Sequence, residues 1–254
     1  MEDVILGPYF GGLGDSLQFS TLPEEFYKQQ GRVTYLVDGT TFRNKGIYDL
    51  VWGCNPYIKG IKVGRRNAGD IPEIKVENHT GNWISNWEHL HGLIPTNIRP
   101  KVYYEPKKLE GWEDKVLVDF SAITTNLEGK DYGNNQRGYD LTKVKDTYDE
   151  VRKNTDKRFV GIRFKEDVRS NKFYPPVDDT IVLEDIFHYC DLLNSVKEIL
   201  CFFSGSMVLA TAIQRYNPEL KIKCVIPPSV YYNDRTQKTG IFYFDYVEYL
   251  VTNE

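Results

Sequence analysis

The sequence has no CxxC pair. Its four cysteines, Cys54, Cys190, Cys201 and Cys224, stand far apart, and nothing in their spacing suggests a metal site. Cys190, Cys201 and Cys224 sit in apolar surroundings, as buried reduced thiols do. No apolar run reaches transmembrane length. Glu2 and Asp3 occupy the region where a secretory leader would be basic, so the expected compartment is reducing and cytoplasmic. A basic surplus is missing too: the net charge is -4 and the pI about 5.7, which excludes a whole-surface attraction to nucleic acid. Fixed-period repeats and low-complexity segments are absent. What remains is 254 residues with 41% hydrophobic and 14% aromatic content, enough to fill the core of a globular protein of one large or two small domains.

Val4-Ile5-Leu6 reads as a short strand ending at Gly7-Pro8. A glycine loop follows, then a helix from Ser16 to Gln30, in which Pro23 requires a kink or a restart and Gly31 is the stop. Arg32 to Val37 is β-rich and ends at Asp38-Gly39. Strand, glycine turn, helix and strand open a βαβ unit. Ile47–Val51 and Ile58–Val63 are further short elements, and residues 64–100 lack clear periodicity. Residues 100–114 combine prolines, a glycine and charges, as a linker does. A second alternation follows: a strand at Lys115–Phe120, a helix at Leu141–Arg152, and a strand at Arg158–Phe164. It continues with a helix at Leu183–Leu193, a strand at Ile199–Phe203, a helix from Met207 to about Tyr216, and a strand at Lys221–Ile226. Two βα series imply an α/β protein with two parallel sheets, divided into residues 1–108 and 109–254.

Gly11-Gly12-Leu13-Gly14-Asp15-Ser16 stands at the first strand–helix turn. A dinucleotide fingerprint needs a third glycine where Leu17 stands, although Asp38 lies where a ribose-binding acid would. Asp15 would also put negative charge at the helix end that should receive a pyrophosphate. No Gly-Lys-Ser/Thr follows, which disfavours a P-loop. Two roles stay open for Asp15: a residue that caps the helix and complements its dipole, or a general base held by a loop only glycines can form. In the second half, the apolar strand Ile199–Phe203 runs into Ser204-Gly205-Ser206-Met207. Backbone N–H groups, a helix N-terminus and two hydroxyls there suit a diphosphate, though Ser and Gly also cap helices for structural reasons.

Together the two motifs resemble glycosyltransferase family 9, the heptosyltransferase-like enzymes of GT-B fold. The family's Gly-x-x-Gly-Asp loop and following Ser/Thr-x-Pro match Gly11 to Asp15 and Thr21-Leu22-Pro23. Its Asp-Ser-Gly-Pro-x-His-Leu-Ala-Ala-Ala signature matches Phe203 to Ala212, with Phe203 in place of the acid and Val208 in place of the histidine. His89 to Leu93 through Arg99-Pro100 is similar to the segment closing the family's first domain. The resemblance implies two Rossmann-like domains with parallel sheets facing a central cleft, an N-terminal acceptor domain and a C-terminal donor domain. It implies a hexosyl- or heptosyl-type transfer from a nucleotide-sugar to a glycan or other hydroxyl-bearing acceptor, inverting and without a metal or other cofactor. Asp15 would be the catalytic base, and Gly12, Gly14 and Ser16 the acceptor-side loop. Ser204, Gly205, Ser206 and Met207 would bind the donor diphosphate. Lys130 and Arg137 are candidate phosphate contacts, and Glu184 or Asp185 is either a ribose contact or a helix cap.

Arg65 and Arg66 are either acceptor contacts or solvated surface, and His79, His89 and His91 have no metal spacing. The aromatic tail from Tyr231 to Tyr249 fits a core or docking surface better than a stacking platform. The rival functions are a Rossmann-type NAD-dependent oxidoreductase using Gly12, Gly14 and Asp38, and a non-catalytic nucleotide- or sugar-binding relative, which the substitutions at 203 and 208 suggest.

Overall fold

Short β-branched and leucine-rich runs alternate with amphipathic stretches, and the runs pair in parallel within two sheets. The computed structural model describes residues 2–8, 11–40, 42–71, 82–121, 139–165, 174–231 and 244–252. It divides into two compact units with the boundary between Glu105 and Pro106, and the last strand belongs to the second.

In the first unit β1 (Val4–Gly7) leads through the glycine loop into α1 (Leu13–Gln18) and α2 (Leu22–Gln30). The single helix expected from Ser16 to Gln30 is therefore two. Pro23 stands at the second position of α2, where its missing N–H costs nothing, and Gly31 closes α2 at φ 64°. The strand β2 (Thr34–Val37) pairs with β1, Val4 opposite Thr34. Then come α3 (Lys45–Ile47), which continues as a π-helical segment Tyr48–Gly53, and β3 (Ile58–Lys62). The stretch without periodicity holds the two-residue strand β4 (Ala68–Gly69) and α4 (Trp83–Leu90), capped by the Asn82 side chain. All pairs are parallel, in the order β3-β2-β1-β4.

Residues after α4 are strapped back by carboxylates. Glu88, fully buried, accepts from Thr96 N and Asn97 N, and Glu24 of α2 accepts from Lys101 Nζ at 2.6 Å and Tyr103 OH at 2.8 Å. Burial pushes the Glu24 pKa upward. Its bonds to Lys101, Lys28 and Tyr103 outweigh that and bring it down to about 2.

The second unit carries β5 (Lys115–Asp119), α5 (Leu141–Lys153), β6 (Arg158–Phe164) and β7 (Asp179–Leu183). They are followed by α6 (Ile186–Ser195), β8 (Glu198–Phe202), α7 (Gly205–Ile213), β9 (Lys221–Ile226), α8 (Pro228–Tyr231) and β10 (Glu248–Val251). Leu183 thus ends a strand rather than starting a helix, and Asp185 caps α6 by accepting from His188 N. The aromatic tail supplies β10, an added parallel strand.

The order β10-β9-β8-β5-β6-β7 buries β5 and β8 at the centre. Val116, Val118, Phe120, Leu200 and Phe202 pack into one cluster with Val144, Tyr148 and Val151 of α5. By strand alternation Leu117, Asp119, Ile199 and Cys201 face the opposite side, toward α6 and α7. Every residue of α7 from Ser206 to Ile213 is buried, so this helix is apolar nearly all round. Among the described residues no helix is long and apolar enough to cross a membrane.

Candidate functional site

Both sheets reverse their strand order at one place. From β1 the chain goes outward to β2 and β3 and then returns to β4 on the other side. From β5 it goes to β6 and β7 and returns to β8. In open parallel sheets such switch points leave a crevice beyond the carboxyl ends of the strands, because the flanking helices diverge there. The two sequence motifs follow β1 and β8, the strands at those switch points. Each belongs to its own unit.

In the first unit β1 and β4 approach closely. A Cβ on Gly69, whose φ is 106°, would lie 2.5 Å from the Gly7 carbonyl oxygen. Gly69 N–H donates to His91 Nε2 at 3.0 Å, and His91 Nδ1 lies 2.7 Å from the Trp87 carbonyl oxygen, so the ring is held from both sides. Burial depresses the His91 pKa below its usual 6.5. After β1, Gly11 takes φ 60° and Gly12 is the N-cap of α1. Asp15 lies in the first turn and is half-buried. A Cβ on Gly12 would stand 2.5 Å from Asp15 Oδ2 and 3.4 Å from Arg43 Cζ. The missing side chain at 12 is therefore the space into which the carboxylate projects, with the Arg43 guanidinium at its edge. Arg43 N–H also donates to the Gly11 carbonyl at 3.1 Å. Nothing in the local sequence marked Arg43, since it follows β2 without a motif.

Gly14 is buried in α1, and Ser16 is fully buried, with no partner for its hydroxyl among the described residues. Leu17, also fully buried, fills the place a third fingerprint glycine would leave open. Asp38 follows β2 in an exposed position, with its backbone N–H on the Lys62 carbonyl. Arg66 bonds to the Gly7 carbonyl and to Asp70, while Arg65 and His89 are exposed. His79 lies outside the described residues.

In the second unit Ser204 is the N-cap of α7, its Oγ accepting from Ser206 N at 3.3 Å. The N–H groups of Gly205 and Met207, in the first turn, have no intrahelical acceptor. Beneath them lies Asp119 at the end of β5, fully buried. Its Oδ2 accepts from Ser206 Oγ at 2.6 Å and Tyr189 OH at 2.8 Å. Its Oδ1 accepts from Ser121 N at 3.0 Å and from Ser121 Oγ. All four partners act as donors, which suits a carboxylate. Burial, and after it the neighbouring Asp119, raise the Tyr189 phenol far above its usual pKa, so it keeps the proton it donates. The Cys201 thiol is likewise raised by burial.

Asp119 was not singled out in the sequence. Its signal is there, however: an acid at the end of the apolar run Val116–Val118. Phe203 and Val208, the departures from the family signature, are both core residues. A carboxylate does reach this turn, but from β5 rather than from position 203. Glu184 is exposed beside the α6 cap, and Lys130 and Arg137 lie outside the described residues. Among the described residues no group of three or more His, Cys, Asp or Glu side chains is placed to hold a metal ion.

No protein-family model matches the sequence, and no curated protein matches it. Solved structures do. A glycosyl transferase family 9 protein from Veillonella parvula superposes with a TM-score of 0.58 at 10% identity, over 99% of this chain and 86% of its own. The ADP-heptose LPS heptosyltransferase II of E. coli gives 0.56 at 10% identity, over 98% and 90%. The fold is GT-B-like. The glycosyltransferase TibC of enterotoxigenic E. coli also matches, with a TM-score of 0.53 at 13% identity. In complex with ADP-D-β-D-heptose it gives 0.57 at 12%. The chain spans 59% and 64% of the length of those two TibC chains. The resemblance read in the sequence holds for the fold, at identities where only the fold is comparable.

Proposed function

We propose that this chain is a glycosyltransferase that moves a sugar from a nucleotide-activated donor to an acceptor hydroxyl, with inversion and without a metal. The observation that carries the proposal is the N-terminus of α7 at the β5/β8 switch point of a GT-B-like second unit, where backbone N–H groups stand ready for an anion. Residues 109–254 bind the donor and residues 1–108 the acceptor. TibC has been solved with a nucleotide-sugar, which supports a donor of that class here.

In the transfer, Asp15 takes the proton of the acceptor hydroxyl as that oxygen attacks the anomeric carbon, and the bond from the anomeric carbon to the diphosphate breaks. The charge growing on the leaving diphosphate is met by the N–H groups of Gly205 and Met207 and by the positive end of α7, a fixed electrostatic contribution of the oxyanion-hole kind. Ser204 shapes the turn, and the Ser206 hydroxyl holds it to Asp119. Lys130 and Arg137 are the proposed further phosphate contacts, and Glu184 the ribose contact. The acceptor is a glycan or another hydroxyl-bearing molecule.

The test is calorimetric titration with ADP, GDP, UDP and CDP beside NAD(H), followed by turnover of the corresponding nucleotide-sugars. Binding of a nucleoside diphosphate, and loss of about a hundredfold or more in turnover with unchanged donor affinity in Asp15→Ala, are the expected results. A response to NAD(H) alone would instead sink the transferase. Donor binding with turnover untouched by Asp15→Ala would remove Asp15 from the mechanism.

A further inference from the structure

A carboxylate close behind a helix N-terminus offsets part of the positive end of the helix dipole. α7 has such an acid. Asp119 is fully buried and lies one hydrogen bond, 2.6 Å, from Ser206 Oγ in the first turn. Its remaining acceptor sites are filled by Tyr189 and Ser121, so the charge is held in place from three directions. A phosphate on the N–H groups of Gly205 and Met207 would share the first turn of α7 with the Ser206 side chain that Asp119 holds. Two like charges so near each other repel appreciably even at the effective dielectric of a protein.

This repulsion does not fall equally on the two ligands of a transferase. In a nucleotide-sugar both phosphates are esterified and the diphosphate carries two negative charges. Once the sugar has left, the terminal phosphate can ionise again, with a pKa of about 6, and the product gains about one further charge. A fixed negative charge under the turn therefore penalises the spent diphosphate more than the donor.

We propose that Asp119 sets this preference: it is the residue that discriminates the nucleotide-sugar from the released nucleoside diphosphate and drives the product out. The inference rests on the proposed donor site at α7. The Ser206 hydroxyl belongs to the same device. Its proton is directed inward to Asp119, so it offers no proton to a phosphate, and the diphosphate is met by backbone N–H groups alone.

The experiment measures, at about pH 8, the affinities of ADP, GDP, UDP and CDP and of their β-methyl esters, which carry the donor's charge without its sugar. In the wild-type protein the ester of the preferred nucleotide is expected to bind at least as tightly as the free diphosphate. In Asp119→Asn, nearly isosteric and uncharged, the free diphosphate should gain about tenfold over its ester. A purely structural role would weaken both ligands alike and lower the melting temperature. That result overturns the proposal, as does a wild-type protein that prefers the free diphosphate by tenfold or more. Should Asp119→Asn fail to fold, the wild-type comparison decides alone. If no nucleoside diphosphate binds the wild type, the donor site itself is wrong and the proposal falls with it. If one binds and the ratio does not move, only the role of Asp119 is lost.

Discussion

Gly12 has no side chain because Asp15 needs the room. Its φ of -75° is open to any residue, so the requirement is for space rather than backbone freedom. Gly12→Ala should therefore fold with a loss of only about 1 kcal/mol, since the atom it meets is the movable end of a carboxylate. The proposed base would be pushed out of line, and turnover should fall by about a hundredfold or more with donor affinity intact. Thermal unfolding and steady-state kinetics on the one variant check both halves. A variant as active as wild type would show that the position of Asp15 is irrelevant to the chemistry. The carboxylate, its glycine and its place after a strand were all legible in the sequence. Arg43 and Asp119 were not, because each comes to its motif through tertiary contact rather than through spacing.

At the scale of elements, the weakest sequence signal carries a disproportionate share of the first site. β4 is two residues long, and its Gly69 packs directly on the Gly7 backbone, held by the His91 ring from the end of α4. The folded-state pKa of His91 is lowered, so the unfolded chain binds more protons between that value and 6.5. Its contribution to stability is complete above 6.5 and is lost as the pH falls through the folded value. The urea midpoint should thus decrease from about pH 8 to about pH 5, and His91→Phe should remove part of that slope. An identical slope in the variant would show that His91 is not the titrating link. Residues 64–100 defeated periodicity because β4 is too short to show alternation, and α4 buries its tryptophans and Glu88 together. The helices with clean caps and stripes, α5 after Asp140 and α6 after Asp185, were found or nearly found.

On the scale of the whole molecule, the two units have separate sheets, and a nucleoside diphosphate should stabilise the second. At about a hundredfold excess over its Kd the ligand contributes about 2.7 kcal/mol. Hydrogen exchange followed by mass spectrometry is expected to show slowing in peptides covering Lys115–Ser121 and Ser204–Val208, with Gly11–Gln18 unaffected. Slowing at Gly11–Gln18 instead would favour a nucleotide on the glycine loop, as in the oxidoreductase alternative. The division into two βα series was readable from the alternation of apolar strands with helical stretches and from the proline-rich linker. The strand orders were not, because nothing local tells a parallel strand which neighbour it will take.

The sequence by itself determined the α/β class, the strands that build the sheet centres, and two loops of unusual chemistry. These are local matters: backbone freedom at Gly11, the period of apolar residues, a Ser-Gly-Ser cap after an all-apolar strand. Only the tertiary structure decided that both loops follow strands at topological switch points and that Phe203 and Val208 belong to the core. It alone placed the buried acid at the α7 turn at position 119, from β5. A buried carboxylate must find its donors wherever the fold supplies them, and Asp119 finds them on Ser121, Tyr189 and Ser206, separated by up to 87 residues of chain.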